Sequence, residues 1–207
     1  MKIYLASGNA HKVREFSAIA KALADTAGAP AIEVRSAKEI GGMPPVVEDT
    51  GSFAGNARKK AWALQGRLPT GAWALSDDSG LCVDALGGAP GVESAYYAGL
   101  PSNDAANLDK LVEVLRDVPP DNRAAHYTCV LVLIGPDGAE HVFEGRCDGR
   151  MIREPAGSGG FGYDPVFVPE GHERTFAELD ASIKNELSHR GRAWAKLVAW
   201  LCQNTAA

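Results

Sequence analysis

At 207 residues, with 45 % hydrophobic and 23 % charged side chains, the chain has the composition of an ordinary soluble globular domain. Its net charge of −5 excludes a nucleic-acid or anionic-membrane binder working through a basic surface, so any phosphate-bearing ligand must meet basic residues gathered locally. Cys82, Cys129, Cys147 and Cys202 lie far apart with no C-x-x-C pair, which excludes a disulfide framework and makes the cytoplasm the expected compartment. Residues 1–8 run into glycine too early for a signal peptide, and the longest uncharged apolar run, residues 127–136, is roughly half a membrane span.

In chain order, a short apolar strand over residues 2–6 ends at Ser7-Gly8-Asn9, and a helix follows with Val13, Phe16, Ala20 and Leu23 on one face. A strand, a glycine turn and a helix N-terminus together present backbone N–H groups to an anion. Lys12 in that first turn opposes the helix dipole, a conflict that a bound phosphate would remove. Ser52 reads as the N-cap of a second helix carrying Phe53, Ala57, Lys60, Ala61 and Leu64. Residues 72–75 form a buried-type strand expected to end directly on Ser76-Asp77-Asp78-Ser79-Gly80. A third helix, capped by Ser102 or Asn103, places Leu108, Leu111, Val112 and Leu115 toward a core and stops at Pro119-Pro120. Strands over 125–134 and 139–146 are joined by Gly135-Pro136-Asp137-Gly138 as a hairpin, the second strand reading as a sheet edge. Gly157 to Gly162 contains G-x-G-x-x-G, yet it runs into Tyr163-Asp164-Pro165 and a short apolar strand over 166–169. No helix opens there, which excludes a dinucleotide fingerprint. The final helix begins near Ser188-His189-Arg190 and turns Trp194, Leu197, Val198 and Leu201 inward. Interleaved helices with an antiparallel hairpin give an α/β class with a mixed sheet.

Asp49-Thr50-Gly51 and Asp78-Ser79-Gly80 both match the D-[ST]-G loop of aspartic proteases, but a helix is expected between them and the chain has no room for two all-β lobes. Taken together, Glu48, Asp49, Asp77 and Asp78 supply four carboxylates on two loops, a donor set that suits Mg²⁺. Asp77 and Asp78, adjacent like charges beside apolar strands, repel unless a cation neutralises them. Lys12 forms one basic site, and Lys184, His189 and Arg190 form another near the last helix. Glycine turn, helix N-terminus, basic clusters and acids together point to a nucleoside triphosphate handled with Mg²⁺.

Five segments carry a resemblance: residues 7–15, Glu48-Asp49-Thr50-Gly51 with Asn56-Ala57, residues 76–91, residues 157–165, and Ser188-His189-Arg190-Gly191. In that order and over nearly the whole chain they resemble the inosine triphosphate pyrophosphatase family, which hydrolyses dITP, ITP and XTP. Ser7 and His11 depart from the threonine and glycine more often found there. The resemblance implies a single domain over residues 1–207, an elongated mixed sheet flanked by helices, two lobes with a cleft between them, and a homodimer. It further implies Asp78 as general base or orienter of the attacking water and as metal ligand, and Glu48 as second Mg²⁺ ligand, with Asp49 or Asp77 as substitutes. The phosphates would fall to Ser7, Gly8, Asn9, Ala10, His11, Lys12 and Ser79. Phe161, Gly162, Tyr163 and Asp164 would form the purine loop, with Phe161 stacking on the base and Asp164 hydrogen-bonding it, and Lys184, His189, Arg190 or nearby backbone would donate to a 6-keto oxygen.

Overall fold

A computed structural model describes residues 1–23 and 31–204. Among the described residues, six strands form one sheet in the order β2-β1-β3-β4-β5-β6. These are β1 (Lys2–Leu5), β2 (Glu33–Ser36), β3 (Trp73–Val83), β4 (Ala124–Ile134), β5 (Glu140–Met151) and β6 (Phe167–Pro169). The helices are α1 (Ala10–Leu23), α2 (Phe53–Gln65), α3 (Asp104–Val114), α4 (Ala181–Leu187) and α5 (His189–Asn204). Strand β1 pairs in parallel with both β2 and β3, whereas β5 and β6 are antiparallel, so the sheet is mixed as the sequence implies. No helix among the described residues is long and apolar enough to cross a membrane.

The chain divides into two compact units. In the first, comprising Met1–Asp78, Cys129–Gly145 and the segment from Arg190 onward, strand alternation sorts side chains between two faces. Ile3, Leu5, Leu75, Cys129 and Leu131 pack with Phe16 and Ile19 of α1 and with Trp194, Leu197 and Leu201 of α5. Their strand neighbours Tyr4, Ala6, Ala74, Val130 and Val132 pack with Ala57, Ala61 and Leu64 of α2. The second unit, Ser79–Thr128 with Arg146–His189, centres on Leu81, Val83, Tyr127, Met151, Phe167 and Phe176, closed by Leu111 and Leu115 around α3.

The expected caps are in place: Ser52 accepts from Gly55 N at 3.1 Å, and Asn103, rather than Ser102, caps α3 by accepting from Ala106 N at 3.1 Å. Of the α1 face, Phe16 and Ala20 are buried and Val13 packs beside the core, while the side chain of Leu23 lies outside the described residues. Two expectations are corrected. β3 does not end at Ser76 but continues through the acids to Val83, because Asp77 and Asp78 point to opposite faces and each meets a cation there. β5 is not an edge; it lies between β4 and β6, which extends the pairing at Gly149, Arg150 and Met151. Strand β2 and helix α4 carry too little periodicity in four and seven residues to stand out in the sequence.

Candidate active site

Adjacent on β3, Asp77 and Asp78 meet different helices because successive strand residues alternate. Asp77 faces α1 and α5. Its Oδ2 lies 2.6 Å from Lys12 Nζ and 3.5 Å from Arg190 Nε, and its Oδ1 accepts from the Cys129 thiol at 3.2 Å. Burial alone would raise its pKa, but Lys12 and Arg190 overcome that and hold Asp77 far below the usual carboxylate range. Cys129 stays a thiol, since burial and then Asp77 push its pKa well up. Arg190 also donates through Nη1 to Glu15 on α1 at 3.0 Å.

Asp78 faces α2. Lys60, buried on that helix, reaches Asp78 Oδ1 at 2.6 Å and Glu48 Oε2 at 2.8 Å. The two carboxylates therefore converge on one ammonium. Burial raises Asp78 to a pKa of about 6 against the pull of Lys60, and the charge of Asp77 adds to the rise. Burial would also raise Glu48, yet Lys60 brings it below its ordinary value. Asp78 Oδ2 is buried, and no donor among the described residues reaches it. A buried carboxylate oxygen without a donor beside a second carboxylate is a fit for a divalent cation. No cluster of three or more His, Cys, Asp or Glu suited to an ion occurs among the described residues. A pair of carboxylates suits Mg²⁺, which keeps waters and takes the rest of its oxygens from phosphate. The alternative ligands are occupied otherwise: Asp49 is exposed and paired with Lys59 at 2.5 Å, and Asp77 serves Lys12 and Arg190.

The turn before α1 is held by its own side chains. Asn9 N donates to Ser7 Oγ at 3.1 Å, and His11 N donates to Asn9 Oδ1 at 2.8 Å. Gly8 and Asn9 are exposed, α1 opens at Ala10, and its first turn holds no acid. Ser79 follows Asp78 on β3 and is half-buried.

The glycine loop belongs to the second unit. Asp164, almost fully buried, accepts from Phe161 N at 2.7 Å and from Lys184 Nζ at 2.6 Å, both on Oδ2. Lys184 Nζ stands 5.2 Å from the Phe161 ring centroid, a cation–π approach. At Gly160, with φ +70°, a Cβ would meet Asp164 Oδ2 at 2.1 Å, so the loop closes on its aspartate only because that position lacks a side chain. Tyr163, beside Gly162, donates its hydroxyl to Ser94 O at 2.8 Å, and burial raises its pKa. His189 stacks on Tyr127 with centroids 4.7 Å apart and planes 9° apart. Lys184, Asp164 and Phe161 thus come together, His189 lies in the same unit, and Arg190 turns to Asp77 and Glu15.

Lys60 is the residue of this site that sequence reasoning leaves on the core face of a helix. A lysine in phase with Ala57, Ala61 and Leu64 is itself the signal, since a buried ammonium requires an anionic partner. Glu15 and Cys129 carry no comparable signal.

The Ham1 family model matches residues 3–200. A dITP/XTP pyrophosphatase of Opitutus terrae is 60 % identical over 200 residues, covering 97 % of this chain and 98 % of its own. Another, from Streptomyces coelicolor, is 48 % identical over 197 residues and covers 95 % of each chain. The solved structure of a HAM1 protein from Coxiella burnetii superposes with a TM-score of 0.82 at 36 % identity, covering 98 % of this chain and 99 % of the other.

Proposed function

The chain belongs to the Ham1 family, and from that premise we propose that it hydrolyses the non-standard purine nucleoside triphosphates dITP, ITP and XTP or dXTP, releasing the nucleoside monophosphate and pyrophosphate. Similarity to dITP/XTP pyrophosphatases supports the substrate class. The observation that carries the chemistry is Asp78, a buried carboxylate of pKa about 6 with one oxygen that no donor reaches, beside Glu48. A carboxylate oxygen left without a donor is free to accept a proton from water.

Asp78 accepts a proton from water as the water oxygen bonds to the α-phosphorus. The bond from that phosphorus to the α–β bridging oxygen breaks, and its electron pair leaves on pyrophosphate. Glu48 and Asp78 are the proposed holders of Mg²⁺, which when bound offsets phosphate charge. Lys12, anchored by Asp77, together with the N–H groups near Gly8 and Asn9 and the Ser79 hydroxyl, is assigned to the phosphate oxygens. In the second unit, Phe161 is assigned to stacking on the purine, with Asp164 holding the loop and Lys184 in register. Lys184 and His189 are the proposed donors to the 6-keto oxygen. An amino group there would leave buried donors unpaired, a mismatch worth about 10⁴-fold or more in discrimination against adenine. Arg190 is assigned to Asp77, given its contacts with that carboxylate and Glu15. A homodimer in the cytoplasm, needing neither nucleic acid nor membrane, completes the proposal.

The test is a panel of ITP, dITP, XTP, GTP and ATP with Mg²⁺ or EDTA, with products identified. Pyrophosphate from ITP, dITP and XTP at rates far above ATP is expected. Orthophosphate as the sole phosphate product, or equal turnover of ATP, overturns the reading.

A further inference from the structure

Glu48 sits on an exposed loop rather than on a strand or helix, and an unsupported loop carboxylate would have to be ordered each time an ion bound. Support comes from α2. Asn56, only 1 % exposed, turns its Oδ1 to the loop and accepts from Thr50 N at 3.2 Å and Thr50 Oγ1 at 2.8 Å. Lys60, one helical turn further along, holds Glu48 itself at 2.8 Å. Gly55 lies beneath Thr50: a Cβ there would stand 2.3 Å from Thr50 Oγ1 and 2.6 Å from Thr50 Cβ. Two independent features, an amide acceptor and a missing side chain, thus draw the loop down onto the helix that also carries the cation of the site.

We infer that Asn56, seated beside Gly55, is a positioning residue that holds the Glu48 loop so that Glu48 and Asp78 meet a divalent cation as a preformed pair. The inference rests on the metal reading of the previous subsection. Asn56 acts through Thr50, from whose N–H and hydroxyl it accepts. Outer-shell partners of this kind change metal affinity by about 10- to 100-fold when removed.

The test compares wild type, Asn56→Ala, Thr50→Val and Gly55→Ala in two measurements. One is the Mg²⁺ concentration giving half-maximal ITP turnover. The other is calorimetric binding of an ITP analogue with a methylene bridge between α- and β-phosphorus, in EDTA and in Mg²⁺. For Asn56→Ala the Mg²⁺ half-saturation should rise about tenfold or more, with the EDTA affinity for the analogue unchanged and the gain on adding Mg²⁺ lost. Gly55→Ala should shift the Mg²⁺ requirement the same way, because its Cβ would push Thr50 off the helix. Combining Asn56→Ala with Thr50→Val should add little to Asn56→Ala alone, since both act on one contact. Asn103→Ala, which removes the cap of α3, should lower stability and leave the Mg²⁺ half-saturation where it was. A wild type indifferent to Mg²⁺ overturns the metal reading and this inference with it. A Mg²⁺-dependent wild type whose Asn56→Ala and Gly55→Ala variants keep the same half-saturation overturns this inference alone. Should Asn56→Ala fail to fold, Gly55→Ala and Thr50→Val decide the matter.

Discussion

Two regions of this chain hold a buried carboxylate against a buried lysine, and they do it by different means. On β3 the work falls to regular structure: alternation sends Asp77 to α1 and α5 and Asp78 to α2, each to a lysine 2.6 Å away. In the glycine loop a single oxygen of Asp164 gathers Phe161 N and Lys184, and glycines provide the backbone conformations that let it do so. The sheet separates two like charges by one residue and gives them opposite properties, Asp77 strongly acidic and Asp78 near pKa 6. The loop instead concentrates several contacts on one group. On the proposed assignment, the strand would serve chemistry that needs a base beside a fixed anion, and the loop would serve recognition that needs close backbone approach.

The largest effect expected from breaking that comparison is at Asp78. Asp78→Asn removes the proposed base and proposed metal ligand while keeping the shape, so turnover of ITP should fall by about 10²–10⁴-fold or more. Analogue binding in EDTA should remain close to wild type; calorimetry beside steady-state kinetics separates the two. Its neighbour should behave in the opposite way. Asp77→Asn leaves Lys12 and Arg190 facing a neutral group inside the unit, and breaking a buried pair on one side costs roughly 3 kcal/mol or more of stability. Urea unfolding should show that loss for Asp77→Asn and little for Asp78→Asn. Equal losses at both positions would dissolve the distinction drawn between the two faces.

How much of this was legible beforehand follows the same division. Helix faces and caps were plain in the sequence, because a 3.6-residue apolar period and a Ser or Asn before it report local energetics. Phe16, Trp194, Leu197 and Leu201 are buried as their spacing implies, and Ser52 caps α2. The strand through Ser76 to Gly80 was not legible, since Asp and Gly are depleted in strands and only cations on α1, α2 and α5 make them acceptable there. Glu48 and Asp78 were paired from their type and motif. Lys60, which joins them, read as a core-face residue, and the link from Arg190 to Glu15 spans 175 positions that no local pattern connects.

Smaller effects are expected in the loop. Gly160→Ala would place a Cβ 2.1 Å from Asp164 Oδ2 at a φ of +70°, a backbone region that costs a non-glycine residue about 1–2 kcal/mol before any clash. The KM for ITP should rise by about tenfold, with kcat and the Mg²⁺ half-saturation nearly unchanged. A fall in kcat with KM intact would place the loop with the reacting phosphates rather than with the base.

The last contrast is in pH, where the neighbours on β3 carry opposite signs. Asp77 is depressed, so the stability it contributes is present above its unfolded value of about 3.9 and is lost only as acid takes the pH below that. Asp78 is raised to about 6, so its contribution is full below about pH 3.9 and is lost as the pH rises through 6. Glu48 beside it is held low by Lys60 despite burial, which leaves the proton of the pair with Asp78. In EDTA, therefore, wild type should gain stability relative to Asp78→Asn between pH 7 and pH 5, as measured by urea unfolding. Mg²⁺ requires the ionised carboxylate, so its affinity should fall below pH 6, by at most about tenfold per unit for this one proton. With Mg²⁺ saturating, the gain on acidification should disappear. Parallel stability curves for wild type and Asp78→Asn from pH 5 to 7 in EDTA would mean that burial does not hold Asp78 near neutrality, and its assignment as the base would fail with it.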